Sequence, residues 1–185
     1  MAELSHTFFA AGIAAPAGKP YFSTSATATY CLMSITIGSL AELQQYEGQD
    51  LGITPWHVIT QEQINQFAAA TLDFQWIHTD PERAATESPF GGTIAHGYLT
   101  LSLLPYFWNQ LVQVENLKMQ VNYEISEFRF NQAVLVNTPV RLHAKLLAVK
   151  DLRGIAKANI GVTMEIEGNK KPAYTGVITF LYHFL

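Results

Sequence analysis

The sequence predicts an α+β fold in which an antiparallel sheet wraps around one long apolar helix. Three observations carry this expectation. A strongly apolar segment runs from Gly97 to Val112, too long for a typical buried strand. The chain then changes period: Val140, Leu142, Ala144, Leu146 and Ala148 alternate with mostly polar partners, as do Ala156, Ala158, Ile160, Val162, Met164 and Ile166. Short turn-forming stretches, Asp151 to Gly154 between these runs and Glu167-Gly168-Asn169-Lys170 after them, make consecutive strands antiparallel neighbours. At 185 residues, 49% of them hydrophobic and 14% charged, the chain can bury a core without a disulfide or metal staple.

In chain order, residues 1–33 are rich in Ala, Ser, Thr and Gly, nearly chargeless and without sustained period. They read as an N-terminal extension to a single domain over residues 34–185, with Met33 a candidate initiator. Thr60 with Gln63 makes a capping box, and Ile64, Phe67 and Ala68 share a helical face, so a helix is expected over Thr60 to Ala70. Asp80, Pro81 and Glu82 suit the cap, first position and first turn of a short helix through about Ala85. Ser88-Pro89-Phe90-Gly91-Gly92 reads as a loop leading into the central helix. Pro105 removes one backbone donor there and should bend the helix near Leu101. Met119 to Tyr123 and Ile125 to Phe130 read as two further extended pieces, and Ala173 to Tyr182 as the last strand.

Composition excludes several functions. A net charge of −4 with no Lys/Arg cluster argues against a nucleic-acid surface. Cys31 is the only cysteine, so an intrachain disulfide, a C-x-x-C redox pair and a thiolate zinc cluster are all ruled out, and a cytoplasmic setting fits best. No stretch reaches the roughly 20 apolar residues of a membrane-spanning helix.

The chemistry concentrates in Thr71-Leu72-Asp73-Phe74-Gln75-Trp76-Ile77-His78-Thr79-Asp80-Pro81, where a carboxylate and an imidazole stand five residues apart on a loop after a capped helix. A second block runs Phe90-Gly91-Gly92-Thr93-Ile94-Ala95-His96-Gly97-Tyr98-Leu99-Thr100-Leu101-Ser102-Leu103-Leu104, and a third, weaker one joins Val121-Asn122-Tyr123 to Phe128-Arg129-Phe130. In these blocks the chain resembles the MaoC-like dehydratases, including the (R)-specific enoyl-CoA hydratases and the nodulation-protein-N-like branch. The family's hydratase motif (Asp, any residue, Asn, Pro, an aliphatic residue, His) is met by Asp73, Ile77 and His78, with Gln75 and Trp76 in place of Asn and Pro. Gln-Trp-Ile-His itself resembles the nodulation-protein-N-like branch. The resemblance covers roughly residues 38 to 185. It implies a hot-dog fold, a catalytic pair in Asp73 and His78, an acyl-CoA or acyl-carrier-protein thioester substrate, and a homodimer or larger assembly. It implies no metal and no redox cofactor.

The residue types suit that activity. Hydrating a double bond conjugated to a thioester needs a base for water, an acid for the α-carbon and donors for the enolate oxygen. His78 is the natural base near neutral pH, and Asp73 can orient the water and return a proton. The Gly97 N–H, at the start of the apolar helix, can face the thioester oxygen. His96, Trp76 and Gln75 complete the candidate substrate-binding set: His96 can fix Gly97 in its loop, and Trp76 can cover an acyl chain or simply pack. The blander readings are an Asp73 that only ends a helix, a His78 that is only structural, and an Asp80 that only caps. His57, His143 and His183 fall in a segment before a helix, a strand and the C-terminal tail, and read as structural. Two rival functions remain: a hot-dog thioesterase, which leaves His78 without a task, and a noncatalytic acyl-binding subunit, which needs neither residue.

Overall fold

The computed structural model describes residues 34–185. The extension assigned to residues 1–33, initiation at Met33 and the setting of Cys31 lie outside the described residues. The elements, in order, are β1 (Ile35–Ile37), α1 (Leu40–Gln45), β2 (Asp50–Ile53), β3 (His57–Val58), α2 (Gln61–Thr71), α3 (Trp76–Thr79), α4 (Pro81–Glu87), α5 (Gly97–Ser102), α6 (Leu104–Leu111), β4 (Val112–Val114), β5 (Leu117–Phe130), β6 (Pro139–Asp151), β7 (Ile155–Ile166) and β8 (Tyr174–Phe184).

Period-two patterning produces the sheet, whose order is β2-β6-β7-β8-β5 with β3 also on β6, every pairing antiparallel. In β7, Ala156, Ala158, Ile160, Val162, Met164 and Ile166 are buried while their alternates are not. The face they form receives the α5–α6 helix: Phe107 and Trp108 are fully buried, and the Trp108 indole meets Phe180 of β8 edge-on at 5.6 Å. This is the hot-dog arrangement, and it holds the N-terminus of α5 at a fixed place beside the sheet.

Several expectations are refined. The central helix breaks at Leu103 rather than near Leu101. Pro105 cannot donate to the Leu101 carbonyl, which instead accepts from Leu103 N–H, so a tight turn joins α5 to α6. The helix ends at Leu111, and Val112 starts β4, which pairs in parallel with β1. The two extended pieces expected around Glu124 are one strand, β5, which absorbs the irregularity as bulges at Asn122/Glu124 and Ser126/Arg129. His57 sits in β3, just ahead of helix α2 as expected, whereas His183 is in β8 rather than in a tail. Helix α1 was not anticipated, although Ser39 with Glu42 is a capping signal: Ser39 Oγ accepts from Glu42 N–H at 3.2 Å and Glu42 Oε2 accepts from Gly38 N–H at 2.7 Å.

Candidate active site

Helix α2 starts where Thr60 Oγ1 accepts from Gln63 N–H at 3.2 Å and stops at Leu72, which adopts the left-handed conformation (φ 61°). Asp73 follows directly and is exposed. His78 is not on the same loop, as the sequence suggested, but on the one-turn helix α3. That turn forms because the Gln75 carbonyl accepts from His78 N–H at 2.9 Å and the Trp76 carbonyl from Asp80 N–H at 3.0 Å. Asp80 then caps α4, accepting from Arg83 N–H at 3.0 Å.

His78 is fixed from three sides. His78 Nδ1 lies 2.7 Å from the Ile94 carbonyl oxygen, and Ile94 N–H donates to the Ile77 carbonyl at 3.0 Å. A carbonyl only accepts, so Nδ1 carries the hydrogen and Nε2 of the neutral ring is a bare lone pair. Gln61 Nε2 donates to the His78 carbonyl at 2.8 Å, and Gln61 Oε1 accepts from Thr93 Oγ1 at 2.5 Å. His78 is 7% exposed. Burial pushes its pKa below the ordinary histidine value, helped by the neighbouring His96; the Ile94 hydrogen bond and the Asp73 charge act the other way and do not prevail.

The structure brings Asp73, His78 and His96 together: a carboxylate oxygen of Asp73 and one nitrogen from each imidazole lie within 4.8 Å of one another. His96 is 2% exposed and stacks on His78 with ring centroids 3.8 Å apart and planes 25° apart. Such a trio has the right donors for a metal, but ring lone pairs lie in the ring planes. Two nearly parallel stacked imidazoles therefore cannot converge on one tetrahedral ion. The arrangement suits proton transfer instead.

Gly97, the first residue of α5, lines a cleft of about 440 Å³ together with His78, Phe90, Ile94, Thr100 and Phe130. A Cβ at Gly97 would sit 3.1 Å from the Phe130 ring, so any larger residue would press that ring back by a few tenths of an ångström. Of the predicted site residues His78 and Gly97 line this cleft, while Asp73, His96, Gln75 and Trp76 do not. Gln75 is exposed at the N-terminus of α3, and Trp76 lies under the Arg83 guanidinium, 4.3 Å from the ring centroid. Sequence reading missed Gln61 and Thr93, which hold the backbone of His78. Nothing in their spacing marks them, because the partner of Gln61 is a main-chain carbonyl 17 residues away.

Comparison with known proteins agrees with this architecture. The family model described as "MaoC like domain" matches residues 42–167. Over 139 residues the chain is 46% identical to 3-hydroxyacyl-thioester dehydratase Z of Mycobacterium tuberculosis (strain ATCC 25618 / H37Rv), covering 75% of this chain and 91% of that protein. It is 43% identical over 143 residues to nodulation protein N of Rhizobium meliloti (strain 1021), covering 74% and 86%. Among solved structures, the (R)-hydratase from A. caviae involved in PHA biosynthesis superposes with a TM-score of 0.59 at 25% identity, covering 72% of this chain and 94% of that one. The unliganded R-hydratase PhaJ1 of Pseudomonas aeruginosa shares the fold at a TM-score of 0.64 and 20% identity, covering 80% and 86%. By its sequence match and by its fold, the chain belongs to the MaoC-like domain family.

Proposed function

We propose that the protein is a hydro-lyase that adds water to trans-2-enoyl thioesters and, in reverse, dehydrates 3-hydroxyacyl thioesters, with (R)-specificity and coenzyme A as the thiol carrier. The observation that carries this reading is the closeness of Asp73 and His78, within 4.8 Å, with His78 lining the same cleft as Gly97. In hydration, His78 Nε2 takes a proton from a water whose oxygen bonds to C3, while Asp73 delivers a proton to C2. The thioester oxygen, negative in the transition state, lies against Gly97 N–H at the N-terminus of α5. Passing the proton on His78 to Asp73 resets the pair. The 46% identity to a 3-hydroxyacyl-thioester dehydratase supports the reaction class. A thioesterase would leave the bare Nε2 of His78 unused, and an acyl-binding subunit would need neither residue.

A groove of about 570 Å³, lined by Leu101, Pro105, Ile125 and Phe180 among others, starts one residue beyond Thr100 on the same helix and suits an acyl chain. Two copies of the domain, residues 34–185, pair along β5, the sheet-edge strand with Met119, Val121, Tyr123 and Ile125 exposed. Residues 1–33 are an extension to it. A cytoplasmic setting completes the proposal; among the described residues no helix is long and apolar enough to cross a membrane.

Loss of enoyl absorbance from crotonyl-CoA and longer trans-2-enoyl-CoAs tests the reaction. Wild type should consume them, and folded Asp73→Asn and His78→Ala variants should each lose on the order of 10² to 10⁴ in rate. A wild-type protein inert toward every chain length would overturn the hydratase reading.

A further inference from the structure

Packing alone does not explain His96. Its ring is buried against His78 and meets Phe67 of α2 with centroids 5.1 Å apart. Its Nε2 lies 3.0 Å from the backbone carbonyl oxygen of Asp73. That carbonyl can only accept, so Nε2 carries the hydrogen, and Nδ1 of the neutral ring is a bare acceptor. Nδ1 is buried with no hydrogen-bond partner among the described residues. An orphaned buried acceptor is destabilising, and an apolar ring of the same size would avoid the cost. The bond from Nε2 offsets it, and that bond holds the Asp73 carbonyl just ahead of the Phe74 and Gln75 carbonyls, which accept from Thr79 Oγ1 at 3.2 and 3.3 Å. Asp73 and Phe74 are both exposed, between left-handed Leu72 and the start of α3, and among the described residues no hydrogen bond holds the Asp73 carboxylate.

We propose that His96 is a positioning residue that sets the separation of Asp73 and His78, tethering the Asp73 carbonyl through Nε2–H and bracing the His78 ring with its own face. This rests on the hydratase reading of that pair. His96 need not touch substrate. It directly precedes Gly97, so acid, base and enolate-binding amide are all referenced to one point of the chain.

Two substitutions separate the tether from the packing. His96→Phe keeps an aromatic face but has no donor, whereas His96→Gln can bring an amide N–H to the position of Nε2. With trans-2-enoyl-CoA, kcat should fall about 100-fold in His96→Phe while KM moves less than about threefold, and His96→Gln should recover to within about tenfold of wild type. Melting temperature should not follow that order, since His96→Phe removes the orphaned nitrogen. A second readout is independent of turnover. The Phe74 amide shares a peptide plane with the Asp73 carbonyl, so its ¹⁵N–¹H resonance should shift in His96→Phe and return toward wild type in His96→Gln. A folded His96→Phe protein with kcat within about threefold of wild type, or a His96→Gln protein as slow as His96→Phe, overturns the proposal. If wild type turns over no enoyl thioester, the hydratase reading fails and the Phe74 resonance alone decides. Unshifted, it overturns the tether; shifted and restored, it upholds it. Should His96→Phe fail to fold, His96→Asn, whose amide reaches only the Nδ1 position, replaces it with the same expected loss.

Discussion

His78 carries a sign that both stability and activity should reveal. Its folded pKa lies below the ordinary value of 6.5 because burial disfavours the charged ring. The unfolded chain therefore takes up a proton first as pH falls. The stability that the neutral ring contributes is present above about pH 6.5 and is lost as pH drops from there toward the folded value. Denaturant midpoints across this window should fall with pH in wild type and fall less steeply in His78→Phe. By the same shift, the acid limb of kcat/KM should lie below pH 6.5. Gly97→Ala should slow turnover at least about tenfold by pressing on Phe130, and pairing it with Phe130→Ala should recover part of the loss. Asp73, His78 and Gly97 were legible because their side chains, or the lack of one, fall at motif spacing. Gln61, Thr93 and the Ile94 carbonyl were not. They act on or through main-chain groups, whose pairing depends on a fold that brings distant stretches together.

At the scale of elements, the β5–β8 pair depends on one residue. A Cβ at Gly176 would lie 2.6 Å from Cδ2 of Phe128 and 3.0 Å from its Cα, and the backbone cannot yield as a side-chain tip can. The site faces the Ser126/Arg129 bulge of β5, where Glu127 adopts a φ of 50°. Gly176→Ala should cost about 1–3 kcal/mol in urea unfolding through overpacking. The strands β6, β7 and β8 were readable because their inward positions are apolar and their outward ones mostly not. Strand β5 was not readable as one strand, since as an edge it is exposed along most of its length and its bulges break the alternation. A register shift between Leu146 and Ala148 also moves the buried phase of β6 from even to odd positions. Val149 is therefore buried and Ala148, expected to point inward, is not fully so. One inserted residue is invisible to a period-two count until the partner strand is known.

The whole molecule presents an edge strand that a lone copy leaves unpaired. The proposed pairing along β5 predicts a solution mass of about twice 20.6 kDa by light scattering, and Tyr123→Lys with Ile125→Lys should shift that mass toward a single chain. The same pair of substitutions should lower turnover of long enoyl chains more than that of crotonyl-CoA, because Tyr123 and Ile125 also line the groove beside α5–α6. The unequal exposure of the two proposed reacting groups has its own consequence. Asp73 stands exposed at the surface, while His78 is largely buried against Ile94 and the stacked His96. In the proposed mechanism the acid is thus in freer exchange with the solvent pool than the base. A deuterium label on the α-carbon of a 3-hydroxyacyl thioester, once lifted onto Asp73, should therefore wash out into bulk water instead of returning to the carbon it left.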